Sequence, residues 1–364
     1  MPTLESELIR TPAETKIRFS VEPAVNALGS LLFLSQADKY SGLDPWITNG
    51  TDTLSQSVLF QNRVVMQGLF YAWIPDRSWA SFPTFIEHLE KTDAQILRNR
   101  IVNTYLTLPC KNEADIEIEP PSPEELLADY DSFIHYLNAK FAEGNIDEAV
   151  ESAAFKLLIE PEEIRRYITD HFRSMWEEHL IHEWARVLPL IEESVIAFDR
   201  FDFNSMTDLE AAQFITGQSG EKWEWILESS ESVVFVPTKH SGPYSYGFKS
   251  GSTGWILFGA HLPEGTYSST SELSRSELLV RLNALADDTR LSIISSIRSG
   301  SEVCAQDLIE QLHVSQSSIS RHLRQLTASG FIHERRTEAG KCYTLNPARM
   351  KDTVKAIETL YGEM

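Results

Sequence analysis

Residues 314–345 read VSQSSISRHLRQLTASGFIHERRTEAGKCYTL, and this stretch decides the fold of the C-terminal quarter. Ser315 is a helix cap, and the helix it opens lasts until Gly330. Ile319, Leu323 and Leu326 fall at i, i+4 and i+7, so that face is apolar and turns to a core. Gln316, Ser317, Ser320, Arg321 and Arg324 lie on the opposite side, with Ser315 and Ser318 at the helix start. Small hydroxyls let a helix sink into a major groove, while Gln and Arg reach base edges and phosphates. Residues 331–335 and 341–345 form a hairpin around Glu338-Ala339-Gly340, flanked by Arg335, Arg336 and Lys341. These side chains are the candidate contacts to double-stranded DNA.

Working outward, a helix is expected over about 275–286, with Leu278, Leu279, Leu282 and Leu285 on one face. Asp287 or Asp288 caps the next, over 289–297, and a short third helix holds Leu308 and Leu312. The last helix opens at Asn346-Pro347 and presents Met350, Val354, Ile357 and Leu360 as an apolar stripe. The stretches LNALADDTRLSIISSI (282–297), SEVCAQDLIEQL (301–312), VSQSSISRHLRQLTASGFI (314–332) and ERRTEAGKCYTL (334–345) succeed one another with no large gap. In that order and spacing they resemble the ArsR/SmtB family of bacterial winged helix-turn-helix regulators. The resemblance implies sequence-specific DNA binding and transcriptional regulation, with repression the favoured sense and activation left open. It also implies a homodimer on an imperfect palindrome, paired mainly through the first and last helices of the domain. Here those helices would contribute Leu278, Leu282, Met350, Val354, Ile357 and Leu360.

Metal-sensing members of that family bind through two cysteines in the segment matching SEVCAQDL, or through His and Asp on the last helix. Cys304 fits the first cysteine position, but Gln306 occupies the second, and residues 347–361 hold no His or Cys. One thiolate makes a poor soft-metal site, so no metal and no cofactor are expected. Cys304 and Cys342 are expected to be small packing residues, too far apart to form a thiol switch. His171, His179 and His182 share a helix with Glu177, Glu178 and Glu183, but the spacing matches no zinc motif and reads as a solvated, charge-paired face.

The first 220 residues read as mostly helical, with helices expected over 20–39, 54–73, 83–106, 124–141 and 161–200, the last kinked or divided at Pro189. The period then shortens. Residues 223–227, 232–236, 244–248 and 255–258 are short, aromatic and β-branched, the pattern of a small antiparallel sheet. Residues 261–274 form a Pro/Gly/Ser/Thr-rich joint. The expectation is therefore a mainly α, α+β chain in two parts. A helical domain over 1–260 ends in the sheet of about 223–260, and a winged helix spans 275–364. The KIRFS start, the EPAVNALGSL helix, Pro45-Trp46 and SVVFVP together resemble a domain of unknown function found ahead of ArsR-type winged helices in some bacterial regulators.

Charge divides along the same line. The net charge is -21, yet from Ser271 onward 12 basic residues face 12 acidic ones, and before it 20 face 41. The acidic part must point away from phosphates. All eight tryptophans precede residue 260. Trp46, Trp73, Trp176, Trp184, Trp223, Trp225 and Trp255, with Tyr71, Tyr244 and Tyr246, either line a pocket for a small-molecule effector or fill a large core. No GxGxxG, P-loop or GxSxG is present, Lys239-His240-Ser241 reads as a polar hairpin turn, and no enzyme is expected. A regulator modulated through its N-terminal domain is the favoured reading. The alternative is an N-terminal enzyme or interaction module tethered to DNA. No apolar run is long enough to cross a bilayer, residues 1–15 lack a secretory core, and three cysteines suit a reducing cytoplasm.

Overall fold

A computed structural model describes residues 16–108, 118–141, 146–263, 275–297, 302–337 and 340–361. Residues 1–15, Cys110, most of the acidic loop at 111–122 and most of the 261–274 joint lie outside them. The fold is α+β, helices with two small sheets.

The N-terminal sheet comprises β1 (Ile17–Phe19), β2 (Ser232–Thr238), β3 (Tyr246–Ser250) and β4 (Thr253–Gly259), in the order β1-β2-β4-β3. Only the β3–β4 pair is antiparallel; β2 runs parallel to both β1 and β4. The sheet is thus mixed, not wholly antiparallel. β2 reads SVVFVPT and is buried from Val233 to Thr238, as a strand covered on both faces must be. Residues 223–227 are helical instead of extended: a 3-10 turn, Gly220–Trp223, runs into the helix Glu224–Ser229. Trp223, Trp225 and Leu227 alternate in sequence, but the buried set is Trp223, Ile226 and Leu227, while Trp225 is 53 % exposed. Ile226 lies where a Cβ on Gly247 or Gly254 would sit, so those two glycines let the helix lie flat on β3 and β4.

The helix Pro23–Ser35 is buried on nearly every side and forms the axis of the helical layer. Residues 161–199 are helical throughout. The division falls not at Pro189, which sits inside Ile181–Asp199, but at a wide π turn over Trp176–Leu180. The extra residue in that turn rotates Ile181–Asp199 about its axis relative to the helix before it. His171 is buried and hydrogen-bonded to Asn62 Oδ1 at 3.0 Å, and Glu183 is buried too, whereas Glu177, Glu178 and His182 are exposed and His179 lies 3.9 Å from Glu178, so the expected solvated His/Glu face forms only in part.

In the C-terminal region the helices are Arg275–Leu285, Asp288–Ser296, Ala305–Leu312, Gln316–Ala328 and Pro347–Tyr361. The second sheet has β5 (Val303–Cys304), β6 (Ile332–Thr337) and β7 (Gly340–Leu345), ordered β5-β7-β6. Ile293, Leu308, Ile319, Leu323, Leu326 and Phe331 form its core. Cys304 and Cys342 stand opposite each other in the β5–β7 register and are joined by a disulfide, which corrects the expectation that they are distant packing residues. The two-residue strand β5 is what brings them together, and it is too short to read from sequence.

Candidate nucleic-acid interface

Ser315 accepts a hydrogen bond from Ser318 N at 3.3 Å and so sets the start of Gln316–Ala328. Gln316, Ser317, Ser320, Arg321 and Arg324 are exposed, Ser318 is half-buried, and the opposite face enters the core. The helix is held from behind. Asp287 caps Asp288–Ser296 and lies 3.6 Å from buried His322 on the recognition helix. Arg290 reaches back to the Ala284 and Asn283 carbonyls at 2.6 and 2.8 Å. Burial lowers both the His322 and Arg290 pKa values. Sequence reading missed these positioning residues, because a buried Arg or His looks like any surface charge in a linear pattern.

The wing is β6 and β7. Arg335 makes a two-pronged ion pair with Glu302 at 2.9 and 2.8 Å, and Lys341 pairs with Glu334 at 2.7 Å. Arg336 lies on β6, its side chain outside the described residues. Exposed pairs of this kind contribute little and exchange readily for phosphate oxygens.

Arg324 turns the other way. Its guanidinium donates to the Lys39 carbonyl and stacks 4.9 Å from the centre of the Tyr40 ring. Gly42, at φ +76°, abuts the buried Gln325 side chain of the same helix. The C-terminal half of the recognition helix thus rests on the N-terminal region, beside a cleft of about 2230 Å³ that both regions line. Tyr71, Tyr244 and Tyr246 line that cleft, whereas Trp73, Trp223 and Trp255 are core residues.

A second polar cluster, not foreseen from sequence, lies inside the N-terminal region. His240 stacks on Trp46 with its ring nitrogens 2.6 Å from Ser30 Oγ and 2.7 Å from Glu183 Oε1. The Ser–His–Glu order resembles a nucleophile triad, but Ser30 also donates to the Asn26 carbonyl at 2.8 Å. The void beside it is about 10 Å³, room for one water at most. Ligand atoms of Asp44, Glu183 and His240 lie within 4.8 Å of one another. Both carboxylates already face cations, Arg186 at 3.7 Å and Lys239 at 3.9 Å from Asp44, and Arg186 again at Glu183. The cluster balances its own charge and ties Ile181–Asp199 to the loop after β2.

Helix, turn, exposed polar helix and β-wing define a winged helix-turn-helix protein. The model of the bacterial regulatory protein, arsR family, matches residues 287–334. The chain is 31% identical over 88 residues to the arsenical resistance operon repressor of Staphylococcus aureus, covering 24% of this chain and 84% of that one. It is 29% identical over 90 residues to the transcriptional activator HlyU of Vibrio cholerae, covering 25% of this chain and 82% of that one. Among solved structures, an ArsR-like transcriptional regulator from Rhodococcus sp. RHA1 matches at 27% identity and TM-score 0.23, covering 24% of this chain and 82% of that one. The chain belongs to the ArsR family, through its C-terminal region, and is a DNA-binding transcriptional regulator. Among the described residues no helix is long and apolar enough to cross a membrane.

Proposed function

We propose that the chain is a homodimeric, cytoplasmic repressor whose residues 275–364 bind an imperfect palindrome and whose N-terminal region, residues 1–260, receives a signal. The observation that carries this reading is the single exposed face of Gln316, Ser317, Ser320 and Arg321 on a helix locked from behind. These residues read bases. Arg335, Arg336 and Lys341 on the wing anchor the backbone. The signal reading is supported by Arg324, a DNA-facing residue by sequence that Lys39 and Tyr40 hold. Anything that moves Tyr40 alters what Arg324 offers to DNA. In this reading the signal is not a metal at the family's sites, because Gln306 is no soft ligand and residues 347–361 hold no His or Cys.

The test uses an operator selected from random duplexes by the full chain. Arg321→Ala or Gln316→Ala should cost about 1–3 kcal/mol on the operator and relax sequence preference. Arg335→Ala should weaken operator and random DNA alike and lower the salt slope by about one unit. A wing variant that loses operator binding alone, with its salt slope intact, reverses these roles.

Dimerisation rests on the apolar face of Arg275–Leu285 and Pro347–Tyr361. Within one chain these helices already pack together, and Leu278 is buried, Leu282, Met350 and Ile357 half-buried. Val354 is 51% exposed and Leu279 58%, which leaves an apolar surface for the second copy; the Leu360 side chain lies outside the described residues. Val354→Glu should therefore yield a folded monomer by sedimentation and weaken operator binding about tenfold or more. An unchanged sedimentation coefficient places the interface elsewhere.

A further inference from the structure

We propose that the end of the cleft beside Glu151 is a binding site for an organic cation with an apolar, aromatic body. The inference deepens the signal reading above and rests on it only for the consequence at DNA. Glu151 lies on the helix Glu148–Leu158, is 7% exposed, and lines the cleft. Its Oε2 has no hydrogen-bond partner among the described residues. A buried carboxylate with no partner is costly, and natural chains keep one where a ligand completes it.

The groups around it do not supply the missing cation. Asp147 adds a second negative charge, and the cation that faces Asp147, Arg63 at 3.7 Å, is half-exposed. Lys140 on the neighbouring helix Tyr130–Lys140 spends its ammonium on the Tyr105 and Leu106 carbonyls and the Tyr136 hydroxyl. Tyr105 and Tyr130 both feel the Glu151 charge and carry none. Burial, reinforced by Asp147, pushes the Glu151 carboxyl up to about 7, and a cation seated beside it would draw that value back down.

The walls define the rest of the ligand. Phe70, Tyr71, Tyr105 and Phe141 border this end of the cleft. Tyr71 meets Phe70 and Tyr105 edge-on at 5.2 and 6.0 Å, and Phe141 meets Tyr105 at 6.4 Å. Aromatic rings attract a cation and exclude water from its apolar body. Glu151 between aromatic walls, with Asp147 already facing Arg63, offers too few free oxygens for a bare metal ion, which needs several oxygen ligands. The chain's net charge of -21 draws cations toward it.

Tetraphenylphosphonium titrated calorimetrically into the full chain without DNA should bind, and triphenylphosphine oxide, similarly shaped but uncharged, should bind about tenfold weaker or less. Glu151→Gln, checked for fold by circular dichroism, should weaken the cation about tenfold and leave the oxide unchanged. Equal affinity for cation and oxide on the natural chain overturns the proposal, as does no binding of tetraphenylphosphonium or a Glu151→Gln variant that binds it unimpaired. Operator titration with and without the probe is separate: a bound probe that leaves operator affinity unchanged refutes the signal reading and leaves the site standing.

Discussion

Cys304→Ser is expected to destabilise the C-terminal region by about 4 kcal/mol in non-reducing buffer, the loop-entropy value for a bond closing a loop of 38 residues. The bond joins β5, which leads directly into the helix Ala305–Leu312, to β7 of the wing. It ties the helix before the recognition helix to the strand that carries Lys341. Because all eight tryptophans precede residue 260, tryptophan emission follows only the N-terminal region. Urea unfolding by far-UV circular dichroism follows both regions, and its C-terminal part should move in the variant while the tryptophan transition stays. Reductant should bring the natural chain to the variant's level. If the natural chain unfolds at the same urea concentration with and without reductant, the two thiols contribute nothing as a pair.

Glu183→Ala should cost about 3 kcal/mol in the N-terminal region, because it strips a buried acceptor from partners that remain. Glu183 is buried and receives His240 Nε2 at 2.7 Å and Arg186 Nε at 2.8 Å. Arg186 is half-exposed and can turn to solvent, which keeps the loss below that of a fully enclosed pair. Glu183→Gln retains the shape and an acceptor, so its loss should be smaller. Trp46 stacks on His240 at 4.9 Å, so tryptophan emission reports the change directly. A loss under about 1 kcal/mol in the alanine variant means that the cluster carries no net stability.

The same carboxylate sets an acid limit. Burial alone would raise its pKa, but His240 and Arg186 outweigh burial and hold it at about 2 against an ordinary 4.5. The unfolded chain therefore takes up the proton first, and the stability from this contact is complete above about pH 5 and lost as pH falls toward 2. His171 acts in the same direction at higher pH. Burial lowers its pKa from 6.5 to about 4, so the unfolded chain binds that proton first below 6.5. Glu151, whose carboxyl burial pushes up to about 7, acts in the opposite direction between pH 7 and pH 5, so the test is a difference: the urea midpoint of the natural N-terminal transition should lose its advantage over Glu183→Gln as pH falls below 5.

The sequence alone was enough for the helices and the wing of the C-terminal quarter, whose start and stop signals are local. Ser315, the Ile319/Leu323/Leu326 stripe, Gly330 and the Asn346-Pro347 start are helix signals within a turn or two of what they control. The exposed face with Gln316, Ser317, Ser320 and Arg321 comes from helical geometry alone, and comparison with known regulators agrees on the family.

What only the tertiary structure decided depends on partners far away in the chain. Strand direction in the N-terminal sheet comes from β1 pairing with β2 across more than 200 residues, which no local period encodes. Trp223, Trp225 and Leu227 carry a two-residue alternation that a helix overrode, because Gly247 and Gly254 offered Ile226 a flat bed. Cys304 meets Cys342 through a two-residue strand. Glu183, His240 and Ser30 meet because a π turn and a loop rotate them inward, and Arg324 faces Tyr40 only because the two regions pack together. In each case the side chain's chemistry was legible, but its partner was not. Burial, which turns a polar residue from solvated to structural, is a property of the packed whole.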